Sequence, residues 1–149
     1  MSKSLFMEST EIPTERTVSQ IQEVLMRHKA SAILTEMKNG EIDSISFKHD
    51  VGGVAVPFRL PCRAAAIEQI LVSRNRKTFT TDREKENRRL RARRIAWRQI
   101  LRWVEAQMAL VETNMVKIEE VFFPYIQTKN GQTIYELHSG NLLQLGVGK

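Results

Sequence analysis

The spacing of apolar residues predicts one helix and then three short strands in the first part of the chain. Over about Thr17–Lys29, apolar residues recur every three or four positions, which places them on one face of a helix. Over Ser31–Leu60 they alternate with polar residues, and the turn sequences Asn39-Gly40 and Gly52-Gly53 interrupt the alternation. The pattern predicts a small antiparallel meander that follows the first helix.

Helical spacing returns after the strands and continues much further. Pro61 opens a helix that runs to about Val72, and a polar, basic connector then leads to a long helix from about Thr81 to Thr113. The apolar stripe of that helix comprises Leu90, Trp97, Leu101, Val104, Met108, Val111 and Met115. About 32 helical residues span about 48 Å, more than the width of such a domain, so part of the helix is expected to project or pair with another copy.

The predicted fold class is α+β, with a small antiparallel sheet of three to four strands packed with helices. One of these is the long, Arg-rich, amphipathic helix. A possible fourth strand lies over Gln132–His138, after the turn sequence Asn130-Gly131. We expect a single domain over residues 17–138, a flexible leader over 1–16 and a flexible tail over 139–149.

Positive charge is concentrated in the connector and the first part of the long helix. The net charge of the chain is +6, but residues 74–102 contain twelve Lys/Arg and three acids, a local charge of +9. The rest of the chain carries −3. Most of the twelve are Arg, whose planar guanidinium can bind phosphate or carboxylate in a bidentate manner. This distribution predicts a polyanionic ligand.

Five arginines of the long helix are the candidate phosphate-binding residues. They are three or four positions apart and so share one helix face: Arg88, Arg91, Arg94, Arg98 and Arg102. Trp97 is a candidate for stacking on a base, although a Trp at helical spacing more often lies in the core. The alternative explanation of the arginine row is an intersubunit ion-pair network with acids such as Glu105 and Glu112.

No catalytic or metal-binding motif is predicted. Cys62 is the single cysteine, and the three histidines lie far apart in the sequence. No glycine-rich phosphate loop precedes a helix, and no serine has the sequence setting of a nucleophile. We therefore expect a protein that is not an enzyme and uses no cofactor or metal. The lack of a long apolar run and of paired cysteines favours a soluble, cytoplasmic protein without a membrane partner.

Three stretches of sequence together resemble a family of small uncharacterised proteins encoded by bacteriophages, prophages and other mobile elements. They are Pro57–Pro61 (PFRLP), Arg91–Arg98 (RARRIAWR) followed by Trp103–Thr113 (WVEAQMALVET), and Met115–Ile126 (MVKIEEVFFPYI). The likeness covers about Thr17–Tyr135. It implies no defined activity and no site residues. It does imply a phage-type protein, in a bacterial host, that acts on nucleic acid or on a host defence component.

Three functions are consistent with these observations. The favoured one is non-catalytic binding of nucleic acid through the Arg-rich helix. The second is counter-defence, either as an inhibitor of a CRISPR or other immune effector or as a sponge that sequesters a cyclic nucleotide signal. The third is an oligomeric scaffold. An extended arginine row suits a polymer, whereas a sponge needs arginines that converge on a pocket with an aromatic residue. A homodimer or higher homo-oligomer is expected in each case, because the apolar stripe exceeds what the short elements can cover.

Overall fold

The computed structural model describes residues 3–77 and 79–141. Within them, the elements in chain order are α1 (Thr14–Arg27), β1 (Ala32–Lys38), β2 (Glu41–Val51), β3 (Val54–Pro61), α2 (Ala64–Ser73), α3 (Asp82–Glu112), α4 (Ile118–Val121) and α5 (Ile134–His138). This arrangement confirms the predicted α+β class and the long helix. Most of the predicted flexible tail, residues 142–149, lies outside the described residues.

The three strands form one antiparallel sheet in the order β1-β2-β3. Asn39 and Gly40 both have positive φ, 53° and 77°, as a tight Asn-Gly hairpin turn requires. The register pairs Phe47 with Phe58 across β2 and β3, and their rings stack with centroids 5.1 Å apart. Both side chains are buried. One face of the sheet therefore forms part of the core, as the alternation predicted.

The strand predicted over Gln132–His138 is wrong, because Ile134–His138 forms the short helix α5. Thr133 and Glu136 make a capping box, in which the Glu136 N–H donates to Thr133 Oγ1 at 3.1 Å. This local signal for a helix start outweighs the preceding Asn130-Gly131 turn, which suggested a strand. Only isolated bridges, such as that between Phe58 and Ile126, extend the sheet in this part of the described chain.

Helix α3 has two unlike halves. Thr81 caps its start through a capping box with Glu84, close to the predicted boundary. None of residues 82–91, which we call the first half, is buried, whereas the longer remainder, residues 92–112, which we call the second half, contributes buried side chains from Ala92 to Met108. Its 31 residues span about 46 Å at ~1.5 Å per residue. The first half lies along the surface, and the second half packs into the core.

Helices α1 and α2 both pack against α3. Helix α1 begins at Thr14, three residues before the predicted start, and Thr17 is buried inside the helix rather than capping it. Pro13 stands at the N-cap position instead, and its restricted φ of −59° suits a helix start. No helix within residues 3–77 and 79–141 is long and apolar enough to cross a membrane.

Candidate anion-binding cleft

An open cleft of about 650 Å³ lies between the end of α2 and residues 84–94 of α3. We call it the arginine cleft because four of its lining residues are Arg74, Arg88, Arg91 and Arg94. Three of these are predicted site residues, and the fourth, Arg74, directly follows the last residue of α2. Glu8 and Glu84 are the carboxylates among the lining residues, so positive charge is in excess.

The cleft already holds a carboxylate from the chain itself. Arg74 Nη1 donates to both oxygens of Glu8, at 2.9 and 2.8 Å, and Arg91 Nη2 donates to Glu8 Oε2 at 3.1 Å. The N–H of Leu5 donates to Glu8 Oε1 at 2.6 Å. These bonds, that from Arg74 first, hold the pKa of Glu8 below its ordinary value. The described part of the predicted leader therefore contacts the cleft arginines through the carboxylate of Glu8.

Two of the cleft arginines have no such partner. Neither Arg88 nor Arg94 forms an ion pair among the residues that the structure describes. The Nε atom of Arg94 is also buried without a hydrogen-bond acceptor. A partly buried guanidinium without a carboxylate partner is costly, and an anion in the cleft would offset the cost of burying this charge. These two side chains are therefore the best-placed ones to bind an external ligand.

Glu84 does little to neutralise the cleft, because its carboxylate is committed elsewhere. It accepts from Lys77 Nζ at 2.5 Å, and Glu84 Oε1 also accepts from the backbone and side chain of Thr81. The bond from Lys77, followed by those from Thr81, lowers the pKa of Glu84 to about 2. Glu84 therefore serves to cap α3 and to hold the connector against it, and the net positive charge of the cleft remains.

Arg98 is not brought to the cleft, which corrects the prediction for this residue. Only 4% of the surface of Arg98 is exposed. Its Nη1 atom donates to Gln20 Oε1 at 2.5 Å and to Thr17 Oγ1 at 3.4 Å, and both of these residues belong to α1. Burial, followed by the nearby charge of Arg102, lowers the pKa of Arg98. The spacing of the arginines correctly places Arg98 on the same helix face as Arg91. However, one to two turns further along α3 from Arg91, α1 covers that face.

Arg102 also lies apart from the cleft. It is exposed, and its Nη1 atom donates to Glu105 Oε1 at 2.6 Å. Of the two acids suggested for an intersubunit network, Glu105 thus pairs with an arginine of its own chain, whereas Glu112 is exposed and forms no ion pair within the described residues. The five-arginine row is therefore divided, with three members at the cleft and two elsewhere.

Trp97 has no exposed surface, so the stacking role predicted for it is wrong. Its indole Nε1 has no hydrogen-bond partner within the described residues, and the whole side chain is enclosed in the core. No face of the ring is open to a base. The core interpretation, which the helical spacing favoured, is confirmed.

Sequence reasoning missed three residues at or near the cleft. Arg74 belongs to the basic segment, but it does not share the spacing of the five arginines on α3 and so is not one of the candidate phosphate-binding residues. Glu8 gave no local signal, since it lies 66 positions from Arg74 and 83 from Arg91. Phe79 did give a signal, as the one aromatic residue of the basic connector, and it is 76% exposed.

Within residues 3–77 and 79–141, no three His, Cys, Asp or Glu side chains are grouped to hold a metal ion. Cys62 is buried, and burial raises the pKa of its thiol to about 11. Comparison of the chain with protein-family models, with curated proteins and with solved structures found no match.

Proposed function

We propose that the chain is a non-catalytic, phage-type protein that binds nucleic acid in the cytoplasm of a bacterial host. In this proposal, the arginine cleft and the exposed first half of α3 contact the phosphates. One observation carries the proposal above all: Arg88 and Arg94 face an open cleft without an ion-pair partner among the described residues, beside two arginines that already hold a carboxylate.

The charge around the cleft favours a polymer over a small ion. Arg76, Arg83 and Lys85 are exposed, and none forms an ion pair within the described residues. They extend the positive surface along the connector and α3, beyond the cleft itself. A nucleic-acid backbone offers successive phosphates to such a surface and releases counterions when it binds. A single phosphate would use only part of it.

The scaffold alternative receives less support from the ion pairs. Glu41 pairs with both Arg89 and Arg93, and Glu105 pairs with Arg102, all within one chain. These acids are therefore not left free for a neighbouring copy. Arg88 and Arg94 in the cleft have no acidic partner among the described residues, and a ligand is the simpler counterpart for them.

Sequestration of a phosphorylated nucleotide is the second candidate. The cleft volume of about 650 Å³ falls in the range of small-molecule sites. However, no aromatic side chain lines the cleft itself, so a base enclosed in the cleft together with its phosphate would meet no ring. Calorimetry with cyclic nucleotides distinguishes this candidate, because a defined stoichiometry and weak binding of long nucleic acid would favour it.

The direct test compares two double variants that remove the same charge. Arg88→Gln with Arg94→Gln removes the two unpaired cleft arginines, and Arg16→Gln with Arg102→Gln removes two exposed arginines outside the cleft. Fluorescence anisotropy with a labelled oligonucleotide of about 20 nucleotides, at several salt concentrations, measures affinity and its salt dependence.

We expect the cleft pair to lose at least about tenfold in affinity and to lower the salt slope by about 1.5, the contribution of about two phosphate contacts. We expect the control pair to change affinity less than about threefold. Equal losses in the two variants, or binding that ignores the cleft pair, would contradict the proposal. Urea unfolding of both variants shows whether either change reflects lost stability.

A further inference from the structure

Among the large apolar residues of the described chain that are exposed, Phe79 is the most exposed, at 76%. A lone exposed apolar residue needs no special explanation. Phe79 is a candidate ligand contact because of its position in the basic connector between α2 and α3. Arg76 and Lys77 precede it, and Arg83 follows within the first turn of α3.

The connector is attached to the arginine cleft on both sides of Phe79. Before it, Lys77 Nζ donates to Glu84 Oε2 at 2.5 Å, and Glu84 lines the cleft. After it, Thr80 Oγ1 accepts from Asn75 Nδ2 at 3.2 Å, and Asn75 also lines the cleft. These two contacts hold the connector, on both sides of Phe79, to residues that line the cleft, while Phe79 itself is 76% exposed.

We infer that the ligand is single-stranded nucleic acid, with backbone phosphates in the arginine cleft and an unpaired base stacked on Phe79. This inference rests on the proposed function and specifies its ligand. In a duplex the bases already stack on one another, so a side chain at the surface finds no open base face. A single strand can turn a base outward, and stacking of a base on an aromatic ring contributes substantially to affinity.

The same geometry predicts weak sequence preference. Every base has a π-face, so one stacking contact tolerates any of them. The cleft side chains are guanidiniums, which bind phosphate regardless of the base attached to it. DNA and RNA single strands share this chemistry, and both are ligands in the proposal.

The test uses Phe79→Ala, the rescue variant Phe79→Trp and the matched control Phe123→Ala. Phe123 is a second exposed phenylalanine, at 53%, located in the turn at Phe123–Tyr125 and not in the connector. Each full-length variant is titrated against labelled single-stranded DNA, single-stranded RNA and the DNA duplex of the same sequence. Urea unfolding verifies that each variant is folded.

We expect the unaltered protein to bind at least one type of single strand at least about tenfold more tightly than duplex. Phe79→Ala should weaken single-strand binding by about fivefold to a hundredfold and change duplex binding by less than about twofold, whereas Phe79→Trp restores single-strand binding. Phe123→Ala should change neither. In addition, the emission of the Phe79→Trp variant should be quenched by single strands beyond any quenching of the unaltered protein.

Duplex bound as tightly as single strand, or a Phe79→Ala variant that loses equally on both, would overturn the inference. Its failure is distinguishable from that of the proposed function. If the double variant at Arg88 and Arg94 loses binding while Phe79→Ala does not, only the single-strand assignment fails. If no oligonucleotide shows binding that depends on the cleft arginines, the proposed function itself fails.

Discussion

The two halves of α3 have similar arginine spacing but different neighbours. In the first half, Arg88 and Arg91 stand at an open cleft, and no residue before Ala92 is buried. In the second half, Arg98 is 4% exposed because α1 packs over it. The comparison shows that spacing determines which arginines share a face, whereas the packing of other elements determines which of them can meet a ligand.

The largest expected effect is in the second half of α3. Trp97→Ala should lower the free energy of unfolding by about 3–5 kcal/mol, because it removes a fully buried indole from the core. Arg88→Gln, in the first half, should change that free energy by less than about 0.5 kcal/mol. Urea denaturation of the two variants measures both values, and a small loss for Trp97→Ala would show that the second half is not the structural one.

An intermediate effect is expected from Glu8. Glu8→Gln should tighten oligonucleotide binding and steepen its salt dependence, because Arg74 and Arg91 lose a competing carboxylate. Glu11→Gln is the control, since Glu11 is exposed in the same leader and has no ion pair within the described residues. Weaker binding by Glu8→Gln would mean that Glu8 supports the cleft rather than competing for it.

Glu8 also gives a pH dependence with a defined sign. Its pKa in the folded protein lies below the ordinary value of 4.5. Its stabilising hold on the leader is therefore fully present above about pH 4.5 and is lost as the pH falls through the lower folded value. Hydrogen exchange of the leader should rise over that interval, beyond its normal pH trend, and Glu8→Gln should abolish this additional change.

The smallest effect is expected from Arg98, although the sequence singled it out. Arg98→Met should leave oligonucleotide affinity unchanged within about twofold, since the guanidinium faces α1 and not the cleft. Its effect on stability should be within about 1 kcal/mol, because the lost hydrogen bonds are offset by relief of a buried charge without a carboxylate partner. A tenfold loss of affinity, with stability retained, would show that Arg98 does contact the oligonucleotide.

The parts of the fold that depend on local signals were predictable. The predicted start of α3 near Thr81 agrees with the capping box found there, and Asn39-Gly40 located the first hairpin turn. The strand expected over Gln132–His138 is wrong because a second capping box, at Thr133 and Glu136, starts a helix directly after the Asn130-Gly131 turn. In each case a few adjacent residues determine the outcome.

The candidate site was predictable only in part, because long-range packing completes it. Arg88, Arg91 and Arg94 were identified from spacing alone. No local pattern could show that α1 covers Arg98 or that Glu8 reaches Arg91 from 83 positions away. These contacts depend on how the leader and α1 pack against α3, which the periodicity of a single segment does not determine.

The most direct test of the difference between the two halves of α3 is hydrogen exchange by mass spectrometry, with and without a saturating oligonucleotide. We expect ligand-dependent protection over the connector and the first half of α3, residues 75–91. We expect no change over residues 98–108, whose amides already lie in the packed part of the helix. Protection confined to 98–108, or absent from 75–91 at saturation, would contradict this expectation.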